Sequence, residues 1–132
     1  MQSTKNNQVT SSKITNKKFN LIERTASFSR RVLSLAQFYS KDFLINKTII
    51  VQLLRSATAI GANYIEANDA LGIKDFLMRL RISRKEAKET IYWLNLLKGV
   101  CLECDNVVEE LIDEANQLKN ILSAIIIKVE NR

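Results

Sequence analysis

Apolar residues recur every three or four positions along most of the chain, and that spacing predicts four long helices. The first is expected over about Lys17 to Tyr39. Phe19, Ile22, Ala26, Ser29, Leu33 and Ala36 form one stripe on it, and Phe28, Val32, Leu35 and Tyr39 a second beside it. The second is expected over about Ile45 to Asn68, with Ile50, Leu53, Ala57, Ile60, Tyr64 and Ala67 as its seam. The third opens near Lys74 after Gly72, carries Asp75 in its first turn, and ends at Lys98 with Gly99 as the residue past its end. Its seam is Phe76, Leu80, Ser83, Ala87, Thr90, Leu94 and Leu97. The fourth has Asp105 as expected N-cap and runs to Val129, with Val108, Leu111, Ala115, Leu118, Leu122, Ile125 and Val129 inward.

At 1.5 Å per residue these helices are all about 35–39 Å long. Matched lengths and short connections predict an all-α fold, an antiparallel up-down-up-down four-helix bundle. Strict alternation of the strand type is missing. Residues 1 to 16, rich in Ser, Thr, Asn and Lys, read as a disordered basic tail before a bundle domain over 17–132.

The second helix carries an unusual segment, RSATAIGANYIEA (Arg55–Ala67). Ser56, Ala57, Ala59, Gly61 and Ala62 are small, and a mid-helix glycine costs about 0.5–1 kcal/mol relative to alanine. Close helix contact is the compensating gain the pattern predicts, since small seam residues let helix axes approach. Asn63 and Glu66 share one face at i and i+3, as do Glu86 and Glu89 on the third helix. Hydrogen bonds and ion pairs, for instance to Arg55 or Arg81, are their expected use. A carboxylate-bridged di-iron site would use Glu-x-x-His, and the chain has no histidine. General acid–base work by Glu66, Glu86 and Glu89 is conceivable but has no nucleophile or phosphate loop beside it, so no enzyme, no cofactor and no metal is expected. Cys101 and Cys104 form a C-x-x-C without a second pair, and are expected as two reduced thiols at a helix junction.

The net charge is +6, which favours anionic partners. Lys74, Arg81, Arg84, Lys85 and Lys88 fall on one face of the third helix, and Lys17 and Lys18 add to the basic N-terminal region. These are the candidate contacts to RNA or DNA phosphates. The competing reading is a solvated face, or one that meets the acidic start of the fourth helix across a subunit contact. Tyr92 and Trp93 read as packing residues, leaving no evident aromatic for base stacking. The polar N-terminus is no signal peptide, and no apolar run is long enough to span a bilayer, so a cytoplasmic location without membrane contact is expected.

Two blocks carry a resemblance. Arg55, Ser56, Ala57, Ile60, Asn63 and Glu66, followed by Asp75, Phe76, Leu80, Glu86, Glu89, Trp93 and Leu94, are similar to the double motif of the four-helix-bundle family of 23S rRNA-intervening-sequence proteins. The resemblance covers about residues 17 to 130. Ala59, Ala67 and Ser83 depart from it, small residue for small residue. It implies a bacterial, ring-like homopentamer of poorly defined biochemical role. A distantly similar group, the accessory proteins of diversity-generating retroelements, engages nucleic acid. In that frame Arg55, Asn63, Glu66, Glu86 and Glu89 are a structural or interface motif. The alternative function is a homo-oligomeric scaffold whose partner is another protein.

Overall fold

The computed structural model describes residues 20–132, so the expected basic tail, Lys17, Lys18 and Phe19 lie outside the described residues. Among those described are four long helices and no strand. Helix α1 is Asn20–Ala36 and continues as a 3-10 turn at Gln37–Tyr39. Helix α2 is Phe43–Asn68, α3 is Ile73–Leu97 and α4 is Asp105–Glu130.

The helix starts show why local chemistry sets boundaries. The Asp42 side chain accepts a hydrogen bond from the Ile45 backbone N–H at 3.1 Å, so α2 begins two residues before the expected Ile45. Its opening turn at Phe43–Ile45 passes into a π-helical turn at Asn46–Ile50 before regular α-helix resumes at Val51–Asn68. Asn46 Nδ2 donates to the Tyr39 carbonyl at 2.6 Å and ties this start to the end of α1. Asp105 is not the N-cap of α4. It is already helical (φ −59°, ψ −36°), and its Oδ1 accepts from the Gly99 N–H at 3.1 Å, bracing the preceding loop instead. Gly99 has φ +81°, a conformation that suits glycine.

Cross-helix contacts fix the topology. Thr25 lies against Gly61 and Ser29 against Ala57. Arg55 meets Glu89, Ser56 meets Thr90, Ile60 meets Ser83 and Asn63 meets Arg79. Arg81 meets Glu130 and Lys98 meets Glu109, while α1 closes on α4 through Arg24–Glu114 and Arg31–Glu110. From one helical turn to the next in every set, residue numbers rise on one helix as they fall on the other. Neighbouring helices are therefore antiparallel, in the up-down-up-down order.

The core lies on the axis these four helices share. The α2 seam is buried throughout, and so is the α3 seam apart from half-buried Phe76. On α4, Ile126 is buried where Ile125 was expected, because a 3.6-residue repeat allows either three or four residues after Leu122. On α1, Leu21, Thr25, Phe28, Val32, Leu35 and Tyr39 face the core. The parallel stripe Ile22, Ala26, Ser29 and Leu33 lies along the edge that faces α2 instead, with Leu33 exposed. Residues Ile22, Thr25, Ala26 and Ser29 of α1 and Thr58, Gly61, Ala62 and Ile65 of α2 line an open groove there.

Small residues do bring the helices close. Ser83 Oγ donates to the Ile60 backbone carbonyl at 2.7 Å, and Thr90 Oγ1 lies 2.9 Å from Ser56 Oγ. A Cβ built on Gly61 would sit 2.7 Å from Thr25 Oγ1 and 2.9 Å from Thr25 Cβ. The glycine is the price of that contact.

Two buried polar atoms have no partner among the described residues, the Tyr39 hydroxyl in the core and Glu86 Oε1 on α3. The Tyr39 hydroxyl is enclosed without a hydrogen bond among the described residues. Burial, with the Asp105 carboxylate adding to it, raises its pKa above the ordinary 10.0. A raised folded-state pKa means that the neutral form is favoured by folding. Its contribution is full below pH 10 and is lost as pH rises through the folded value. We predict that Tyr39→Phe is at least as stable as the native chain at neutral pH, and that it loses less stability above pH 10, as read by urea denaturation at both pH values.

A polar rim between α2 and α3 and a basic face on α3

Helix α2 turns Arg55, Asn63 and Glu66 to the edge it shares with α3. Arg79, Glu86, Glu89 and Trp93 of α3 fall on the facing edge at spacings of seven, three and four residues. The Arg55 guanidinium pairs with Glu89 Oε2 at 3.1 Å, and its Nε and Nη2 also approach Gln52 Oε1 at 3.4 and 3.3 Å. The same Glu89 oxygen accepts from Trp93 Nε1 at 3.3 Å. Asn63 Nδ2 donates to the Ala59 carbonyl at 2.9 Å, and its Oδ1 accepts from Arg79 Nη1 at 3.4 Å. Glu66 is exposed. Glu86 is half-buried, and its Oε1 is sheltered with no hydrogen-bond partner among the described residues. The motif residues thus share one rim, and Arg79 is a member of it that sequence reasoning missed. Its position seven before Glu86 on the same stripe was the available signal.

Arg81 does not join the rim carboxylates as expected. It lies five residues from Glu86, about 140° around the helix, and pairs with Glu130 of α4. Arg84 is half-buried and its Nη1 reaches Ser123 Oγ at 3.4 Å. Lys74, Lys85 and Lys88 are exposed and form no ion pair among the described residues. Of the five basic residues on this face, three therefore present their charge to solvent while two lean onto α4.

Tyr92 departs from its expected packing role. It is 57% exposed, four residues beyond Lys88 and seven beyond Lys85, and so lies on the lysine face. Its ring meets Trp93 edge to face at 5.0 Å and 69°. Trp93 is half-buried against the core, as expected.

The acidic start of α4 is engaged within the chain. Arg24 forms a two-pronged pair with Glu114 (2.6 and 3.1 Å), Arg31 pairs with Glu110 at 2.7 Å, and Lys98 with Glu109 at 2.8 Å. The hydrogen bond that the Arg24 guanidinium donates to Glu114 pushes its pKa up from the ordinary value, against the opposing effect of burial.

Two further expectations are corrected. Cys101 and Cys104 are joined as a disulfide, not held as separate thiols. The 3-10 turn Leu102–Cys104 closes with the Cys104 N–H donating to the Cys101 carbonyl at 3.0 Å, and this brings the Cα atoms to 5.2 Å, within disulfide range. Helix α2 is also long and apolar enough, by length and composition, to cross a bilayer, although no single run suggested it. Its apolar residues Ile50, Leu53, Ala57, Ile60 and Ala67 are the inner face of the bundle.

A bundle of antiparallel helices with a polar rim on its second and third members defines the structural class. The chain belongs to the 23S rRNA-intervening sequence protein family, which it matches over residues 17–124. Among solved structures it is similar to a protein of unknown function from the S23 ribosomal protein family of Bacteroides thetaiotaomicron VPI-5482. The two share 32% identity and a TM-score of 0.70, with 80% of this chain and 97% of that one covered. No curated protein matches the chain.

Glu89 holds both Arg55 and Trp93, which gives a direct test of the rim. Glu89→Gln is expected to cost less than about 1 kcal/mol, since the ion pair is partly exposed. The emission of the chain's single tryptophan is expected to shift on that substitution. An unchanged Trp93 spectrum would contradict the geometry.

Proposed function

We propose that the protein is a non-enzymatic, homo-oligomeric member of its family that binds RNA or DNA electrostatically. The observation that carries this reading is the row of exposed lysines on α3, Lys74, Lys85 and Lys88, without acidic partners among the described residues. Phosphate contacts of this kind give affinity without sequence reading. Pairing of the α4 acids with α1 and with Lys98 supports it, because those carboxylates no longer oppose the lysine face. Lys17 and Lys18 would extend the basic surface.

Self-assembly is supported by the α1–α2 edge, and its form as a pentamer is what the family resemblance implies. Ile22, Ala26, Leu33, Val51 and Ile65 lie along that edge, with Leu33, Val51 and Ile65 exposed, and no charged residue lines the groove between the two helices. Contiguous apolar surface of this sort marks interaction sites. The same edge favours the second reading, a scaffold that binds another protein. The rim carboxylates serve structure in this account, with Glu89 paired to Arg55 and bonded to Trp93. The proposed location is the cytoplasm, where the Cys101–Cys104 bond would be reduced.

Fluorescence anisotropy with labelled rRNA fragments and duplex DNA at 50 and 200 mM salt, with light scattering on the same sample, tests the proposal. Neutralising three phosphates predicts binding about 20- to 40-fold weaker at the higher salt. The scattering mass should be a multiple of one chain, fivefold for the pentamer. Absence of binding at 50 mM salt would overturn the nucleic-acid reading and leave the scaffold.

A further inference from the structure

The lysine face of α3 carries an aromatic ring that electrostatic binding does not require. Tyr92 is 57% exposed, and its ring is held rather than free. It meets Trp93 edge to face at 5.0 Å. Trp93 is fixed in turn by its Nε1 hydrogen bond to Glu89, and Glu89 by the Arg55 pair. A chain of contacts from the α2–α3 rim therefore ends on a pre-positioned phenol ring at the solvent surface. Along the helix, Lys88 and Lys85 precede it by about 6 and 10 Å, at 1.5 Å per residue. Lys74 continues the charge toward the start of α3.

We propose that Tyr92 is a stacking platform for a nucleobase, and that the α3 face takes single-stranded nucleic acid in preference to duplex. This rests on the electrostatic reading above and adds the form of the ligand to it. The physical reason is access. In a duplex the base faces are covered by their neighbours, and only edges and phosphates reach a protein surface. A single strand can lay its phosphates along Lys85 and Lys88 and turn a base onto the ring. Stacking of that kind tolerates any sequence, because every base has a π-face. The rim motif then acquires a role in this binding. Arg55 and Glu89 are positioning residues that hold the ring pair.

The test uses the full chain and one labelled oligonucleotide in three forms at 50 mM salt: single-stranded, duplex, and single-stranded with abasic sites. RNA and DNA versions separate the two sugars. Tyr92→Ala is expected to weaken single-strand binding by about 5- to 150-fold. It should leave duplex binding and the salt slope unchanged, and Tyr92→Phe should keep the native affinity. Abasic strand should bind the native chain as weakly as native strand binds Tyr92→Ala. Single strand should also quench Trp93 emission, since the base would sit beside it. If Lys85→Glu with Lys88→Glu abolishes binding while Tyr92→Ala matches the native chain, stacking is overturned and the electrostatic reading stands. If the native chain binds no oligonucleotide at all, both fall. If Tyr92→Ala changes the scattering mass, the ring belongs to a contact between copies and the proposal is overturned.

Discussion

The close approach of α2 to its neighbours is the constraint on which the rest of this bundle depends. Gly61 faces Thr25, and a single added carbon would stand 2.7 Å from the Thr25 hydroxyl oxygen. Thr25 has little room to yield. It is buried, branched at Cβ, and its Oγ1 donates to the Ile22 carbonyl at 3.0 Å. On the other side of α2, Ser83 reaches a main-chain oxygen of the facing helix. A side chain as short as serine can do so only when the axes lie close. The buried hydroxyls of Ser56, Ser83 and Thr90 each find a partner, so the close contact does not strand them.

That spacing also sets the rim. With α2 and α3 close, Arg55 spans to Glu89 and Asn63 to Arg79. Glu89 then orients Trp93, and Trp93 stands against Tyr92. On the far side of the bundle, Arg24 and Arg31 of α1 hold the carboxylates of α4. The charge asymmetry visible along the chain becomes an asymmetry in space. Acids are matched where α4 meets α1 and meets Lys98, and unmatched lysines remain on α3.

Much of this was legible in the sequence, and the exceptions have physical causes. The α3 seam follows from periodicity because its small and apolar residues recur every three or four positions with charged residues beside them, and the α2 seam because its large apolar residues recur at that spacing among small ones. On α4 two adjacent isoleucines, Ile125 and Ile126, satisfy the repeat equally well, and only three-dimensional packing chooses Ile126. On α1 two apolar stripes compete, and the neighbour on each side decides which becomes core. Asp105 has the composition of an N-cap, but Cys104 takes that place and the carboxylate turns back to Gly99. The cysteine pairing needed the 3-10 turn that no periodicity marks. Within the candidate site, Arg55, Asn63 and Glu89 could be chosen from spacing, whereas the partner of Arg81 depends on which helix lies beside it. Tyr92 reads as packing alongside Trp93, a residue type that rarely stays exposed without a partner, and its exposure is set by its place among the lysines.

The measurement that bears most directly on this account is the denaturant midpoint of Gly61→Ala. Alanine is the better helix former by about 1 kcal/mol, so helix propensity alone would raise stability. Close contact with Thr25 predicts the opposite, a midpoint lowered by a net loss of about 1–3 kcal/mol from overpacking. An unchanged or higher midpoint would show that the helices are not held close at Gly61, and the argument from the small residues would fail with it.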